Sequence, residues 1–514
     1  MEKFLNRHKD SIVGVLSCFD RVLFRGTLRS ISYLDGMKVF LSVHKVLLKD
    51  FGEFVQGHSS RIKHHAEAFA QRYSRPYQYI TSSSTSKEAI AKEIMKRDSI
   101  TDGLICVLSC VEPCQSYAIR KDRATKKLKL IPAIRKCLHF YFYFIDREFG
   151  FMHVRIQSWF PCPIQVCING HEWLARKMDK AGMNYKRREN CFVQIKDIKK
   201  AQKMADTTVN RNWHKLLDRF GKRFNPLLQA SAGLDLYGYY WTIRQGEYST
   251  DIIFKDASCL KRLYPRLIHH AIEHFSSEDV MRFLGRRSNL RFSGEVTSNI
   301  RKRVEGTRIR HWVEENSIKM YDKQGVVLRI ETTINNPRRF KVYRETYRQG
   351  KRGKAWIPMR KGVADIYRRI EVSHAANARY LEALSVIGDE KPSHLLLDSI
   401  SRPVYKNNHR YRGLRPIVPN ETKLFRAVLH GEFLLRGFRN ANIRALLFPI
   451  TNSDEEKRLN MGRTSRFILL LRAHGLIKKV PKTRLYRITP KGHLVMSTSL
   501  IFRNTNISLL EKAA

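Results

Sequence analysis

Residues 317–332, SIKMYDKQGVVLRIET, hold the side chains most capable of chemistry: Tyr321, Asp322 and Lys323 lead into a turn, and Arg329 and Glu331 leave it. A phenol becomes a nucleophile once a base takes its proton, carboxylates hold a divalent metal such as Mg2+, and cations such as Lys319 and Arg329 meet phosphate. These types fit cleavage or joining of a phosphodiester strand, with Tyr321, Asp322 and Glu331 as the catalytic candidates. The competing reading is a sheet of ion pairs that grips nucleic acid without cutting it, and this needs no cofactor. No histidine-hydrophobic-histidine metal motif accompanies the tyrosine, since His269 and His270 are adjacent, as are His64 and His65. That absence favours gripping and leaves open whether the chain is an enzyme.

A hairpin must bring these residues together. Ile318 and Met320 share a buried face with Leu328 and Ile330 if both strands cover one core. A three-residue loop of Lys323, Gln324 and Gly325 meets that condition, with glycine at the left-handed position and Asp322 accepting hydrogen bonds from the turn. Tyr321 then faces Val327, Lys319 faces Arg329 and Ser317 faces Glu331, so two like charges oppose each other unless Glu331 or a phosphate lies between them. The wider segment 306–342 reads as a four-strand antiparallel meander turning at 314–316, 323–325 and 335–338. The pairing of Tyr321-Asp322-Lys323 with Arg329-x-Glu331 is similar to what is seen in rolling-circle replication initiators. That resemblance implies a tyrosine nucleophile and acidic metal ligands, and it covers these five residues only.

Charge sets the partner class. Lys and Arg number 96 against 47 Asp and Glu, a net charge of +49 that repels itself unless a polyanion neutralises it. The cations run along the whole chain among 11% aromatic residues, which suits phosphate contacts beside base stacking. The densest basic run holds Arg282, Arg286, Arg287, Arg291, Arg301, Lys302, Arg303, Arg308 and Arg310, with Glu295 and Glu305 as its acids. The first residues mix acid and base, and no apolar run reaches the roughly 20 residues that span a bilayer, so a cytoplasmic protein without a membrane partner is expected. Nine cysteines at irregular spacing predict neither a disulfide framework nor a zinc knuckle, and read as small buried hydrophobes in a reducing compartment.

The length predicts an α+β multidomain chain. Residues 1–200 read as a mixed α/β domain, 205–388 as a basic α+β domain with an antiparallel sheet, 389–419 as a basic linker, 420–500 as a winged helix and 501–514 as a tail. In the first domain, helical spacing covers 33–49 and 61–73, and a strand at 77–80 passes through the hydroxyl-rich loop 81–84 into a helix that opens at Ser86. A strand at 104–108 completes a strand-helix-strand unit, whose loop fits either a helix cap or a phosphate cradle. A hairpin at 138–159, a helix at 172–180 and a strand at 191–195 follow. Pro392, Pro403, Pro416 and Pro419 mark the linker, where Lys406, His409, Arg410, Arg412 and Arg415 make either an arm along a nucleic-acid backbone or a solvated tether.

The C-terminal order is three helices, 420–433, 440–447 and 453–474, then Gly475 and two short strands around a basic loop. Arg472, His474, Gly475, Leu476, Ile477, Val480, Pro481, Thr483, Tyr486, Thr489 and Gly492 stand in the spacing RxHGLIxxVPxTxxYxxTxxG. This resembles the winged helix of MarR-like transcription regulators. The resemblance implies that the third helix enters a major groove with Lys457, Arg458, Asn460, Arg463, Thr464 and Arg466, while Lys482 and Arg484 on the wing reach phosphate or the minor groove. The residues in front do not look like the dimer arm of those regulators, so a ligand-sensing repressor is not expected. The whole chain, through FDRVLFRGTL, CVEPC, NGHEWLARKM and MRFLGRR, is similar to uncharacterised bacterial proteins labelled by this C-terminal domain. The resulting expectation is a DNA- or structured-RNA-binding factor carried by a mobile element, the alternative being a replication- or transposition-type enzyme that cuts a strand with a tyrosine.

Overall fold

A computed structural model describes residues 1–286, 295–303, 306–348, 351–387, 393–406, 408–430, 433, 437–449, 451, 453–481 and 483–504. Thirteen strands organise its larger part: β1 (Ile12–Thr27), β2 (Tyr77–Ile80), β3 (Gly103–Lys121), β4 (Leu128–Asp146), β5 (Gly150–Gln157), β6 (Ile164–Asn169), β7 (Tyr185–Arg188), β8 (Cys191–Ile195), β9 (Tyr240–Phe254), β10 (Val296–Arg303), β11 (Gly306–Val313), β12 (Asn316–Lys323) and β13 (Val327–Ile334). Eleven of them form one mixed sheet in the order β10-β11-β12-β13-β9-β1-β6-β5-β4-β3-β2, and β7 pairs with β8 outside it. The β2–β3 pair is parallel, and every other pair whose register is described is antiparallel. The helix Lys87–Arg97 makes the crossover that a parallel pair requires, and the Ser86 hydroxyl caps it by accepting from the Ala89 amide.

β1 joins the two halves of this sheet because it bonds β6 along one edge and β9 along the other. The sheet therefore joins segments on both sides of residues 200–205, where the sequence reading places a domain boundary. The chain divides instead into two compact units, one of residues 1–268, 283–285 and 298–384, the other of 269–282, 286–297 and 385–514.

Within the first unit the strands around β13 have two unlike faces. Ile318, Met320, Leu328, Ile330 and Ile252 lie on the face covered by the helix Ile366–Leu384. Asn377 of that helix accepts from Thr332 and donates to the Thr250 hydroxyl. The opposite face is polar, carrying Lys319, Tyr321, Arg329, Glu331, Thr333, Glu247, Ser249 and Asp251.

The hairpin register differs from the sequence expectation by two residues. Lys319 stands opposite Glu331, Tyr321 opposite Arg329 and Lys323 opposite Val327. The loop is 324–326, with both Gln324 (φ 58°) and Gly325 (φ 72°) left-handed. A shift of two preserves which residues share a face, and it replaces the like-charge Lys319/Arg329 opposition with an attractive Lys319/Glu331 pair. The fourth strand of the expected meander lies elsewhere. β9 takes up the second edge of β13, so Lys341–Arg348 pairs with Lys351–Pro358 as a separate hairpin.

Cys114 and Cys137, diagonal neighbours on β3 and β4, form a disulfide that the cysteine spacing does not announce. The other seven cysteines are free.

The second unit contains the helices Ser393–Ser401, Pro419–Val428, Asn440–Leu447, Asp454–Ala473 and Pro490–Asn504, with a two-stranded ribbon of Ile477–Lys479 and Tyr486–Ile488. Leu424, Phe425, Ile443, Ile468, Leu471, Leu476 and Val495 fill its core. Leu397, Ile400 and Leu414 enter the same core, so the segment read as a linker is packed structure rather than a tether. Gly492 is required by close approach, because a Cβ there would fall on the Leu476 carbonyl oxygen. No described helix is long and apolar enough to cross a membrane.

Candidate metal centre

Three strands far apart in sequence but adjacent in the sheet deliver the carboxylates of the polar face. β1 departs from regular pairing between Phe19 and Arg21, the position of Asp20, whereas Glu247 and Glu331 stand at regularly paired positions of β9 and β13. One carboxylate oxygen from each of the three lies within 4.8 Å of the others. They line a cleft of about 230 Å³ together with Arg21, Asn190, Arg308, Lys319, Tyr321, Asp322, Lys323 and Arg329. The Lys319 ammonium bonds Glu331 Oε1 and stands 3.6 Å from Glu247 Oε1. The Tyr321 hydroxyl donates to Glu331 Oε2 at 2.6 Å.

A second set of polar groups supports the first. Arg329 is fully buried, and its fork donates to Asp251 at 2.7 and 2.6 Å, to the Asn190 carbonyl at 2.9 Å and to Asp20 Oδ2 at 3.4 Å. His171 stands between Asp20 and Asp251, at 3.3 and 3.4 Å, and the Asn190 amide donates to Asp20 Oδ1. His171 lies in the first turn of the helix Gly170–Lys180, whose cap is the Asn169 side chain accepting from the Glu172 amide. Gly170 lets that helix approach β1, since a Cβ there would fall on the Phe19 carbonyl.

The ionisation of these groups follows from their surroundings. Burial by itself would raise Asp20 and Asp251, yet the Arg329 guanidinium and hydrogen bonds to His171 hold both carboxyls below the usual range. Glu331 shifts the other way: burial raises it, and the like charges of Asp20 and Glu247 add to that against the pull of Lys319. Burial and the Glu331 carboxylate raise the Tyr321 phenol well above its ordinary value. The phenol therefore stays protonated at neutral pH, with its proton directed at Glu331.

The structure brings Tyr321 and Glu331 together and leaves Asp322 apart from the convergent carboxylates. Asp322 lines the cleft, but its Oδ1 accepts from the Gly325 amide at 2.9 Å as part of the turn. Lys319 and Arg329, read as nucleic-acid contacts, are buried and ion-paired inside the sheet face, so neither offers a surface to a phosphate backbone. Thr464 is likewise buried, its hydroxyl donating back to the Asn460 carbonyl, and it leaves the exposed row. Lys457, Arg458, Arg463, Arg466, Arg484, Arg301 and Lys302 are exposed, whereas Arg286 and Asn460 are half-buried. Arg287, Arg291, Lys482 and the side chain of Arg303 lie outside the described residues.

Sequence reasoning missed Asp20, His171, Asn190, Glu247 and Asp251. Asp20 and His171 do stand inside FDRVLFRGTL and NGHEWLARKM, two of the segments that carry the whole-chain resemblance. Glu247 and Asp251 fall at alternate positions of EYSTD, the spacing that puts polar residues on one face of a strand. No protein-family model, no curated protein and no solved structure matches this chain, so its functional reading rests on the cleft and on the charge.

Proposed function

We propose that this protein binds DNA or structured RNA and cleaves or transfers a phosphodiester bond at a divalent cation held by Asp20, Glu247 and Glu331. The convergence of those three carboxylates in a cleft, inside a chain with a net charge of +49, carries the reading. Asp251 shows what a structural carboxylate looks like here, paired bidentately with Arg329. Glu331 and Glu247 instead share Lys319, with Arg21 3.6 Å from Glu247. Three carboxylate oxygens within 4.8 Å of one another supply the oxygen ligands that a hard cation takes.

A cation bound there would polarise a phosphoryl oxygen and lower the pKa of a bound water. The chain's own groups supply the rest. Glu331 Oε2 is placed to take the proton of Tyr321, and Lys319 holds Glu331 beside Glu247. In the second unit, the helix and ribbon order and the exposed Arg458, Arg463, Arg466 and Arg484 support a winged helix whose long helix enters a major groove.

The test is cleavage of labelled single-stranded and duplex DNA and RNA with Mg2+ or Mn2+. Wild type is expected to cut one of these substrates, and Glu331→Gln and Asp20→Asn are expected to abolish cutting while binding persists. Tyr321→Phe separates the nucleophiles: loss of a covalent protein-nucleic acid adduct assigns the attack to the phenol, and retained hydrolysis assigns it to water. A wild-type protein that neither cuts any substrate nor is stabilised by Mn2+ would sink the proposal.

A further inference from the structure

The hairpin Lys341–Arg348/Lys351–Pro358 stands outside the large sheet. Its register sets Tyr343 opposite Trp356, Glu345 opposite Lys354 and Tyr347 opposite Arg352, which places these six side chains on one face. The other face supplies Val342 and Ile357, which pack with Ile334 and Phe340 and fix the hairpin at its base. The first face stays in water: Tyr343 is 52%, Tyr347 71% and Trp356 54% exposed. Of the six tryptophans, Trp356 alone is exposed. The Tyr343 and Trp356 rings lie 5.5 Å apart, and the Arg368 guanidinium sits 5.3 Å from the indole.

We infer that this face is a platform on which unpaired bases of single-stranded nucleic acid stack. Two properties select that occupant. Rings that display their faces match bases whose own faces are free, and a duplex keeps those faces inside its stack. The strands also carry Lys341, Arg344, Arg352 and Lys354 against Glu345, a charge complementary to a phosphate backbone. Arg344 is committed to Asp365, and Lys354 and Arg352 flank the rings on the open face. The platform is independent of the carboxylate cleft and stands whether or not the cleft cuts. It adds a strand-separated substrate or product to the duplex contacts proposed for the second unit.

Full-length protein titrated with oligothymidylate, oligouridylate and a mixed-sequence duplex tests the inference, read by anisotropy of the labelled strand and by quenching of the exposed indole. Tyr343→Ala and Trp356→Ala should each weaken single-strand binding by about tenfold, in keeping with the usual worth of a base-aromatic stack. Tyr343→Phe and Trp356→Phe should hold within about threefold of wild type, since a ring remains, and duplex affinity should be unchanged in all four. The Asp20→Asn and Glu331→Gln proteins should bind the single strands normally, which separates failure of the platform from failure of the cleft. Equal losses on duplex and single strand, alanine variants with undiminished single-strand affinity, or a wild type that binds no single strand would each overturn it. So would displacement of the strand by polyglutamate with equal ease from wild type and from the alanine variants, because charge alone would then account for binding.

Discussion

Arg329→Met tests whether the buried network is held by one guanidinium. Methionine fills much of the arginine volume, so the substitution removes charge and donors more than it opens a cavity. It leaves Asp251 without its bidentate partner, Asp20 without one cation and the Asn190 carbonyl without a donor. Breaking a buried pair by removing one partner costs about 3–5 kcal/mol. At roughly 2 °C per kcal/mol for a large domain, the unit should melt about 6–10 °C lower. Tryptophan emission is the right assay, because Trp159, Trp173, Trp213, Trp241, Trp312 and Trp356 all belong to the first unit, and the second unit contributes no signal. Asp251→Asn should also destabilise, and the double variant should lose less than the sum of the two by about 1–3 kcal/mol. The pH dependence has a definite sign. Asp251 has a lowered folded pKa, so its contribution is present above the unfolded value of about 3.9 and is lost as pH falls through the folded pKa. The gap between wild type and Arg329→Met should therefore narrow on acidification below about pH 4. A loss under about 1 kcal/mol, or an additive cycle, would refute the assignment of Arg329 as the holder of this site.

Mn2+ should raise the tryptophan-detected melt of wild type, by about 2.7 kcal/mol at a hundredfold excess over its Kd, and should leave Glu331→Gln unmoved. Because Glu331 is raised above the ordinary carboxylate value, protons compete with the cation, and Mn2+ affinity should weaken from pH 7 towards pH 5 by calorimetry. Lys319→Met removes the cation that separates Glu331 from Glu247, so the metal-free protein should melt lower and gain more from Mn2+ than wild type does. Gly170→Ala should drive the His171 helix away from β1, lowering both the melting point and Mn2+ affinity. Arg463→Ala and Arg466→Ala should weaken duplex binding, with the salt slope shallower by about one for each lost phosphate contact, and should not change the first unit's melt.

Local chemistry was readable where it suffices to define an element. The strands 77–80 and 191–195 and the Ser86-capped helix appear at the residues their turn and cap signals mark. The face parity of the central hairpin was readable too, because alternation forces it. Its register was not, since the loop places a non-glycine residue, Gln324, in the left-handed region. β3 and β4 were read as 104–108 and 138–145 but continue to Lys121 and back to Leu128. Their outer halves mix exposed cations with the buried Tyr117 and Leu130, an irregular pattern without clean alternation, and cross-strand pairing extends them. The candidate centre was the least legible part. Asp20 and Glu247 meet only because β1 pairs with β9, and no periodicity within either segment reports a partner so far along the chain.

The two faces of β12 and β13 show why the polar one calls for a functional explanation. On one face, Ile318, Met320, Leu328 and Ile330 pack under a helix, which is how a sheet buys stability from burial. On the other, the same strands bury Lys319, Arg329 and Glu331 against Asp20, Glu247 and Asp251. Replacing buried ion pairs with well-packed apolar residues is commonly neutral or stabilising by about 1–4 kcal/mol, so stability does not account for this arrangement. Acids are the scarcer charge in the chain, 47 against 96 bases, and desolvation makes a buried face the most costly place to crowd them. Four of them gather there among Lys319, Arg329, Arg21 and His171, and three of the four still hold a carboxylate oxygen within 4.8 Å of the others, a convergence that the proposed cation site explains and stability does not.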